Sequence, residues 1–210
     1  MRAVDLLSLI HDDTGHREKE CQPALLLIKQ FLCREIPRNI LQVGREEPNR
    51  YGSNDFCVSA VVSDGSTDKR CAYVWEVKSP QSHILEFDDH SLRLRPTMEL
   101  VKAETQLFHY VEEFKSSRSF RHYFDLNDLA EVIPAGIIIG SEKTLVKKGR
   151  LGQGKSLDEL KRLYQISMHA RHQYLYKAAN ILVKDWSWVY GNLLSLENPS
   201  PIVPIGSIAS

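Results

Sequence analysis

Between residues 55 and 78, apolar positions crowd into two short runs separated by a polar stretch. Asp55 to Val62 is strand-like, and Cys71 to Lys78 is a second strand rich in β-formers that Ser79-Pro80 stops. Ser63-Asp64-Gly65-Ser66-Thr67-Asp68 between them has turn composition, so the two runs predict a hairpin. With the turn centred between Ser66 and Thr67, Asp55 lies opposite Lys78 and Glu76 is its diagonal neighbour. Glu76 and Lys78 share one sheet face because side chains alternate with period two. A slip of one residue would undo this placement.

Elsewhere the spacing becomes helical. Asp12 to Arg34 predicts a helix with Leu25, Ile28, Phe31 and Leu32 on one stripe, in which Pro23 marks either a kink or the true first turn. Asn49 to Ser53 predicts a loop, and Ile84 to Arg95 is a mixed stretch, either loop or short strand. Thr97 to Lys115 predicts a helix with an apolar stripe of Leu100, Leu107, Val111 and Phe114. Lys102, Gln106 and Tyr110 follow at steps of four along a polar line beside it. Ala135 to Gly140 is a short buried strand. Ser156-Leu157-Asp158-Glu159 is a capping box that starts a helix running to about Arg171. Asn180 to Val183 predicts a last strand, with a short helix through Trp188 to Leu196. Helices alternating with short strands define an α/β domain. It occupies residues 1–198, with a Pro/Ser-rich, loosely docked tail over 199–210.

Composition adds little until it is resolved along the chain. The 210 residues suit one domain of ordinary size, and 27 Lys plus Arg balance 27 Asp plus Glu. From Ser141 to Lys184, however, ten basic residues stand against three acidic ones. From His83 to Glu113 the ratio is three to seven. A basic C-terminal half behind an acidic middle is compatible with a polyanion-binding face beside a cation site, and equally with two solvated helical surfaces. The four cysteines, 21, 33, 57 and 71, form no Cys-x-x-Cys pair and read as reduced, partly buried residues. No stretch approaches the length of a membrane span, and Asp5 interrupts any leader-like start, so a cytoplasmic protein with no membrane partner is expected.

The candidate chemistry lies on the hairpin. Two carboxylates, Asp55 and Glu76, can hold a divalent cation, and Lys78 beside them can steady a water or a phosphate. Mg²⁺ takes one or two carboxylates and fills its shell with water and phosphate oxygens, which matches one Asp and one Glu. Glu-x-Lys alone is a common solvated pattern; the preceding Asp, the apolar flanks and the later helix give it weight.

Asp55, then Glu76-Val77-Lys78 on the next strand, then a helix with Gln106-Leu-Phe-His-Tyr110, resembles the PD-(D/E)XK nuclease superfamily, most closely its Shedu branch of antiphage defence nucleases. The Gly136 to Gly140 strand and the closing strand, aromatic and helix over Ile181 to Leu196 also have counterparts there. The resemblance spans about residues 16–196. Asn54 stands where a Pro often precedes the Asp, a position that shapes backbone only. The resemblance implies a restriction-endonuclease-like core, a central mixed β-sheet flanked by helices, and a Mg²⁺-dependent endonuclease acting on DNA, with Mn²⁺ able to substitute. Asp55, Glu76 and the backbone oxygen of Val77 would hold the metal, and Asp55, Glu76 and Lys78 would be catalytic. Gln106 and Tyr110 would brace the site or touch the phosphate backbone, and Glu18 or Glu20 would come from an early helix. Apart from the resemblance, the local positive excess of the basic stretch from Lys143 to Lys184 predicts that Lys147, Lys148 and Lys155 carry DNA affinity, and a homo-oligomer is expected. Such nucleases often carry another domain ahead of the catalytic one, so this chain reads as either a minimal form or an excised domain.

Two further patterns compete. Gly149-Arg-Leu-Gly-Gln-Gly154-Lys155-Ser156 fits the phosphate-loop pattern at every position, which would make the chain a nucleotide-binding protein. That loop requires a buried strand ending at its first glycine, and Lys147-Lys148 stands there instead. Only 54 residues follow Ser156, too few for the parallel sheet of such a fold. A non-cleaving domain of the same superfamily, binding nucleic acid or a partner, is the other alternative, and an intact Asp/Glu/Lys set argues against it. His169 and His172 read as surface histidines, and Trp75, Trp186 and Trp188 as packing residues.

Overall fold

The computed structural model describes residues 1–49, 52–63 and 67–199; the side chains of 45–49 and 52–55 lie outside the description. Residues 64–66, within the predicted turn, and residues 200–210 also fall outside it.

A five-stranded mixed sheet, in the order β1-β2-β3-β6-β8, forms the centre. Strands β1 (Asn39–Asn49), β2 (Gly52–Ser63) and β3 (Asp68–Val77) are antiparallel neighbours, and β6 (Glu131–Ile138) and β8 (Leu182–Lys184) extend the sheet in parallel. From Cys71 to Val77 every residue of β3 is buried, as expected for a central strand covered on both faces. One face carries α1 (Ala3–Ile10), α3 (Pro23–Leu27), the 3-10 turn Lys29–Leu32 and α8 (Trp186–Glu197), packed on Phe56, Val58, Tyr73, Trp75 and Val77. The other carries α4 (Met98–Ser116) and α5 (Arg118–Tyr123), packed on Cys57, Ala72, Val74 and Ile137.

The predicted hairpin forms, but its register slides by two residues: Phe56 meets Trp75 rather than Val77. The turn closes earlier than composition suggested, with Ser63 already paired to Asp68. A slide of two preserves which face each side chain takes. Continuing the ladder by one residue sets the backbone of Asp55 across from Glu76.

The predicted Asp12–Arg34 helix is instead a chain of short pieces. A short α2 (Glu18–Cys21) follows an irregular stretch, and Pro23 opens α3 at its first position. The true N-terminal helix is α1. The Ile84–Arg95 stretch contributes β4 (Leu85–Asp88) and β5 (Arg93–Pro96), which join β7 (Val146–Lys147) in a small second sheet, β5-β4-β7. The capping box is present: the Ser156 side chain accepts from Glu159 N–H, and Glu159 accepts from Ser156 N–H, opening α6 (Leu157–Arg171). A π-helical turn, His172–Tyr176, joins α6 to α7 (Lys177–Ala179). Among the described residues no helix is long and apolar enough to cross a membrane.

Candidate active site

Glu76, near the end of the central strand, and Lys78, the residue just past it, continue the parity of Ala72 and Val74, so both face the α4 side of the sheet. The Glu76 side chain has no accessible surface, and the Lys78 Nζ donates to its Oε1 at 2.5 Å with 16% of the lysine side chain exposed. Taking a carboxylate and an ammonium out of water together costs several kcal/mol per ion, which their mutual contact only partly offsets. A buried charge pair at a strand end, beside the core of Val74, Ile137 and Leu107, therefore marks a place where packing alone would have chosen apolar residues.

The backbone around the pair is held from both sides. Lys78 N–H donates to Ile138 C=O at 2.7 Å, and the Trp186 indole donates to Lys78 C=O at 2.7 Å. Trp186 N–H in turn donates to Gly140 C=O at 2.9 Å. The β8–α8 junction thus clamps the end of β3 from across the sheet. Two glycines make this closeness possible. A Cβ on Gly136 would sit 2.5 Å from the Trp75 ring, and Gly140 has φ +71° with a would-be Cβ 2.7 Å from Ser82 C=O. Asp185 caps α8 through Trp188 N–H at 2.8 Å, and burial pushes its carboxyl above the usual range.

Immediately after Lys78, Gln81 ties in the N-terminal segment. Its Oε1 accepts from Arg17 N–H at 3.1 Å and Ser79 Oγ at 2.5 Å, while its Nε2 donates to the carbonyls of Leu9 at 3.0 Å and Asp12 at 2.9 Å. This brings α2 to the end of β3. Of its two glutamates, Glu20 is exposed and paired with Arg17 at 3.2 Å, whereas Glu18 is half-buried.

The sequence-predicted residues meet different fates. Glu76 and Lys78 are together. The Asp55 side chain lies outside the described residues; its backbone belongs to β2. The Val77 side chain points into the opposite core, leaving only its backbone as a ligand. Gln106 is half-buried on α4. Tyr110 does not lie on a polar line: it is buried to 2% exposure and stacked on Phe114, with the Gln106 amide 3.5 Å from its hydroxyl. The ring's apolar area outweighed its one polar atom. Among the described residues, no three His, Cys, Asp or Glu side chains converge as a metal site, a group that would require Asp55.

The basic residues sit on an arm that leaves the same end of the sheet. Thr144 Oγ1 donates to Pro80 C=O at 2.8 Å and Leu85 N–H to Leu145 C=O at 3.0 Å, so the segments after β3 and β6 run side by side into β4 and β7. Lys147 and Lys148 are exposed there. Lys155 is half-buried, its ammonium 5.9 Å from the Phe87 ring centre and 3.8 Å from Glu159. Burial, helped by Lys147, lowers the pKa of His83 on this arm.

The phosphate-loop pattern does not make a phosphate loop. Its strand is the two-residue, partly exposed β7, and its second and third glycines, Gly152 and Gly154, fall in a 3-10 turn, Leu151–Gly154. The N–H groups of Arg150 and Leu151 already bind the Asp89 carboxylate at 2.8 and 2.9 Å. A Cβ on Gly149 would also meet that carboxylate, at 2.6 Å.

No disulfide joins the four cysteines among the described residues, and burial pushes Cys21 and Cys33 up to about 12, far from reactive thiolates. His169 and His172 are exposed. Sequence reasoning missed Gln81 as a hub and Trp186 as a clamp. The only advance signal of the second was a tryptophan behind a capping Asp. No family model and no curated protein matches the sequence.

Proposed function

We propose that this chain is a metal-dependent deoxyribonuclease with a restriction-endonuclease-like core, similar in plan to the Shedu nucleases of antiphage defence. The observation that carries the reading is the fully buried Glu76 with the Lys78 ammonium 2.5 Å away, at the end of the central strand of a mixed sheet. The backbone of Asp55 lies across from it when the ladder is continued by one residue.

The donor set suits a hard cation: a buried carboxylate, a second carboxylate on the neighbouring strand and a backbone oxygen at Val77. Glu76, Asp55 and Val77 would hold Mg²⁺, which supplies Lewis acidity and a more acidic bound water. Lys78 holds a positive charge beside the carboxylates, where it orients an attacking water or stabilises charge on the phosphate. Trp186 and Ile138 fix the Lys78 backbone, so its head group has a short tether and a defined reach. Gln106 stands over the same face, and Tyr110 braces it from within the core. Lys147 and Lys148 lie on an arm rooted beside the site, where they can track a phosphate backbone.

The test is cleavage of plasmid and linear DNA with Mg²⁺, with Mn²⁺ and with EDTA, using wild type and Glu76→Gln. Cleavage that requires the cation and disappears in Glu76→Gln supports the reading. Binding without cleavage by the wild type would make the chain a non-cutting relative, and cleavage by Glu76→Gln at the wild-type rate would misplace the site.

A further inference from the structure

The outer face of α6 carries large apolar side chains that no element among the described residues covers. Leu160, Tyr164, Met168 and Arg171 turn inward along the helix, and an unbroken α-helix would bring Leu175 in next. The π turn adds a residue, so Tyr176 turns in instead and its hydroxyl meets Glu104 beside Arg171. Leu175 is left 54% exposed, beside Tyr174 at 82% and Ile166 at 58%. The outer line reads Asp158, Arg162, Ile166, Ala170, Tyr174 and then Lys177, all exposed. Among the described residues neither Arg162 nor Lys177 forms an ion pair.

We propose that this face docks against the same face of a second copy of the chain, with the two α6 helices antiparallel. The line is self-complementary only in that direction. A two-fold axis between Ile166 and Ala170 sets Ile166 on Ala170 of the other copy, where the small residue allows close approach. It sets Arg162 over the Tyr174 ring of the other copy and Asp158 beside its Lys177. Parallel pairing would set Asp158 on Asp158. The helix macrodipoles also favour the antiparallel arrangement. The face extends roughly 30 Å at about 1.5 Å per residue. One helix pair of that length falls at the low end of the ~1,200–2,000 Å² of stable interfaces, so the dimer is micromolar and concentration-dependent. This inference does not depend on the nuclease reading.

Sedimentation of the full chain from low to high micromolar concentration tests it. The wild type is expected to pass from monomer to dimer, and Ile166→Arg to remain monomeric. Asp158→Lys and Lys177→Asp should each raise the dissociation constant about tenfold, and the double swap should return it to within a few-fold of wild type. Ile166 is exposed, so its variant folds and keeps the test valid if a charge swap frays the helix. A wild type that stays monomeric throughout, an Ile166→Arg variant that still dimerises, or a double swap that restores nothing overturns the proposal.

Discussion

Two carboxylates on one side of this molecule meet their partners in opposite ways. Glu76 has no accessible surface and meets a lysine side chain, a second charge that also had to leave water. Asp89 is half-buried at the rim and meets two backbone N–H groups that would otherwise need a partner. The second contact is a closed structural arrangement: a turn's orphan donors and an adjacent acid satisfy each other. The first is costly as structure, because packing that site with apolar groups would hold the sheet as well or better. The difference separates a carboxylate that serves the fold from one the fold maintains at a cost, and only the second is a candidate for chemistry.

The largest expected effect comes from breaking the costly pair. Lys78→Ala should leave DNA binding within a few-fold of wild type and lower single-turnover cleavage by roughly 10²–10³, the scale of a lost electrostatic stabiliser. It should also destabilise the protein by about 3–5 kcal/mol in urea, since Glu76 is left buried without its cation. Removing both charges with Glu76→Gln and Lys78→Met together should restore stability to within about 1–2 kcal/mol of wild type while cleavage stays absent. A double variant as unstable as the single one would make the pair structural, and the contrast with Asp89 would collapse.

Much of this site was legible in the residues, for reasons that also explain the misses. Alternation along β3 put Glu76 and Lys78 on one face, and that survived a two-residue slide in register because strand parity repeats every two residues. Strand β1 was not read, since its Arg45-Glu46-Glu47-Pro48 end looks polar and Pro-broken, as edge strands do. The single long helix over 12–34 failed because Pro23 starts a helix more readily than it sits inside one. Tyr110 was misread because a step of four from Gln106 describes a helix line without saying which side of it packs. Trp186 and Gln81 act through contacts far away in sequence, Trp186 to Lys78 and Gln81 to Leu9, which no local pattern encodes.

A smaller effect tests the arm that carries the basic residues. Lys147 and Lys148 are exposed, whereas Lys155 is engaged by Phe87 and Glu159. Neutralising the first two should weaken DNA binding for every sequence and flatten the salt dependence by about 0.9 for each phosphate they no longer neutralise. Lys155→Ala should change the slope less than either. Equal slopes for all variants would mean that the arm is a solvated surface and that DNA approaches the β3 end from elsewhere.

The smallest effect is the most direct probe of the contrast between the two acids. Asp89→Ala frees the N–H groups of Arg150 and Leu151 at a partly exposed site, where water replaces the carboxylate. The expected loss is about 1–2 kcal/mol, near the lower end for hydrogen bonds to a charged group. Asp89→Asn keeps an acceptor and should lose less. The same substitution opens the one loop whose letters match a phosphate-binding pattern, so it asks whether the carboxylate caps a turn or blocks a ligand site. A structural cap predicts that Asp89→Ala binds ATP and GTP no better than wild type by calorimetry, because no buried strand presents the loop and Lys155 is turned onto Phe87. Micromolar nucleotide binding by that variant would identify Asp89 as a stand-in for phosphate. The loop, rather than the end of β3, would then be the place to look for chemistry.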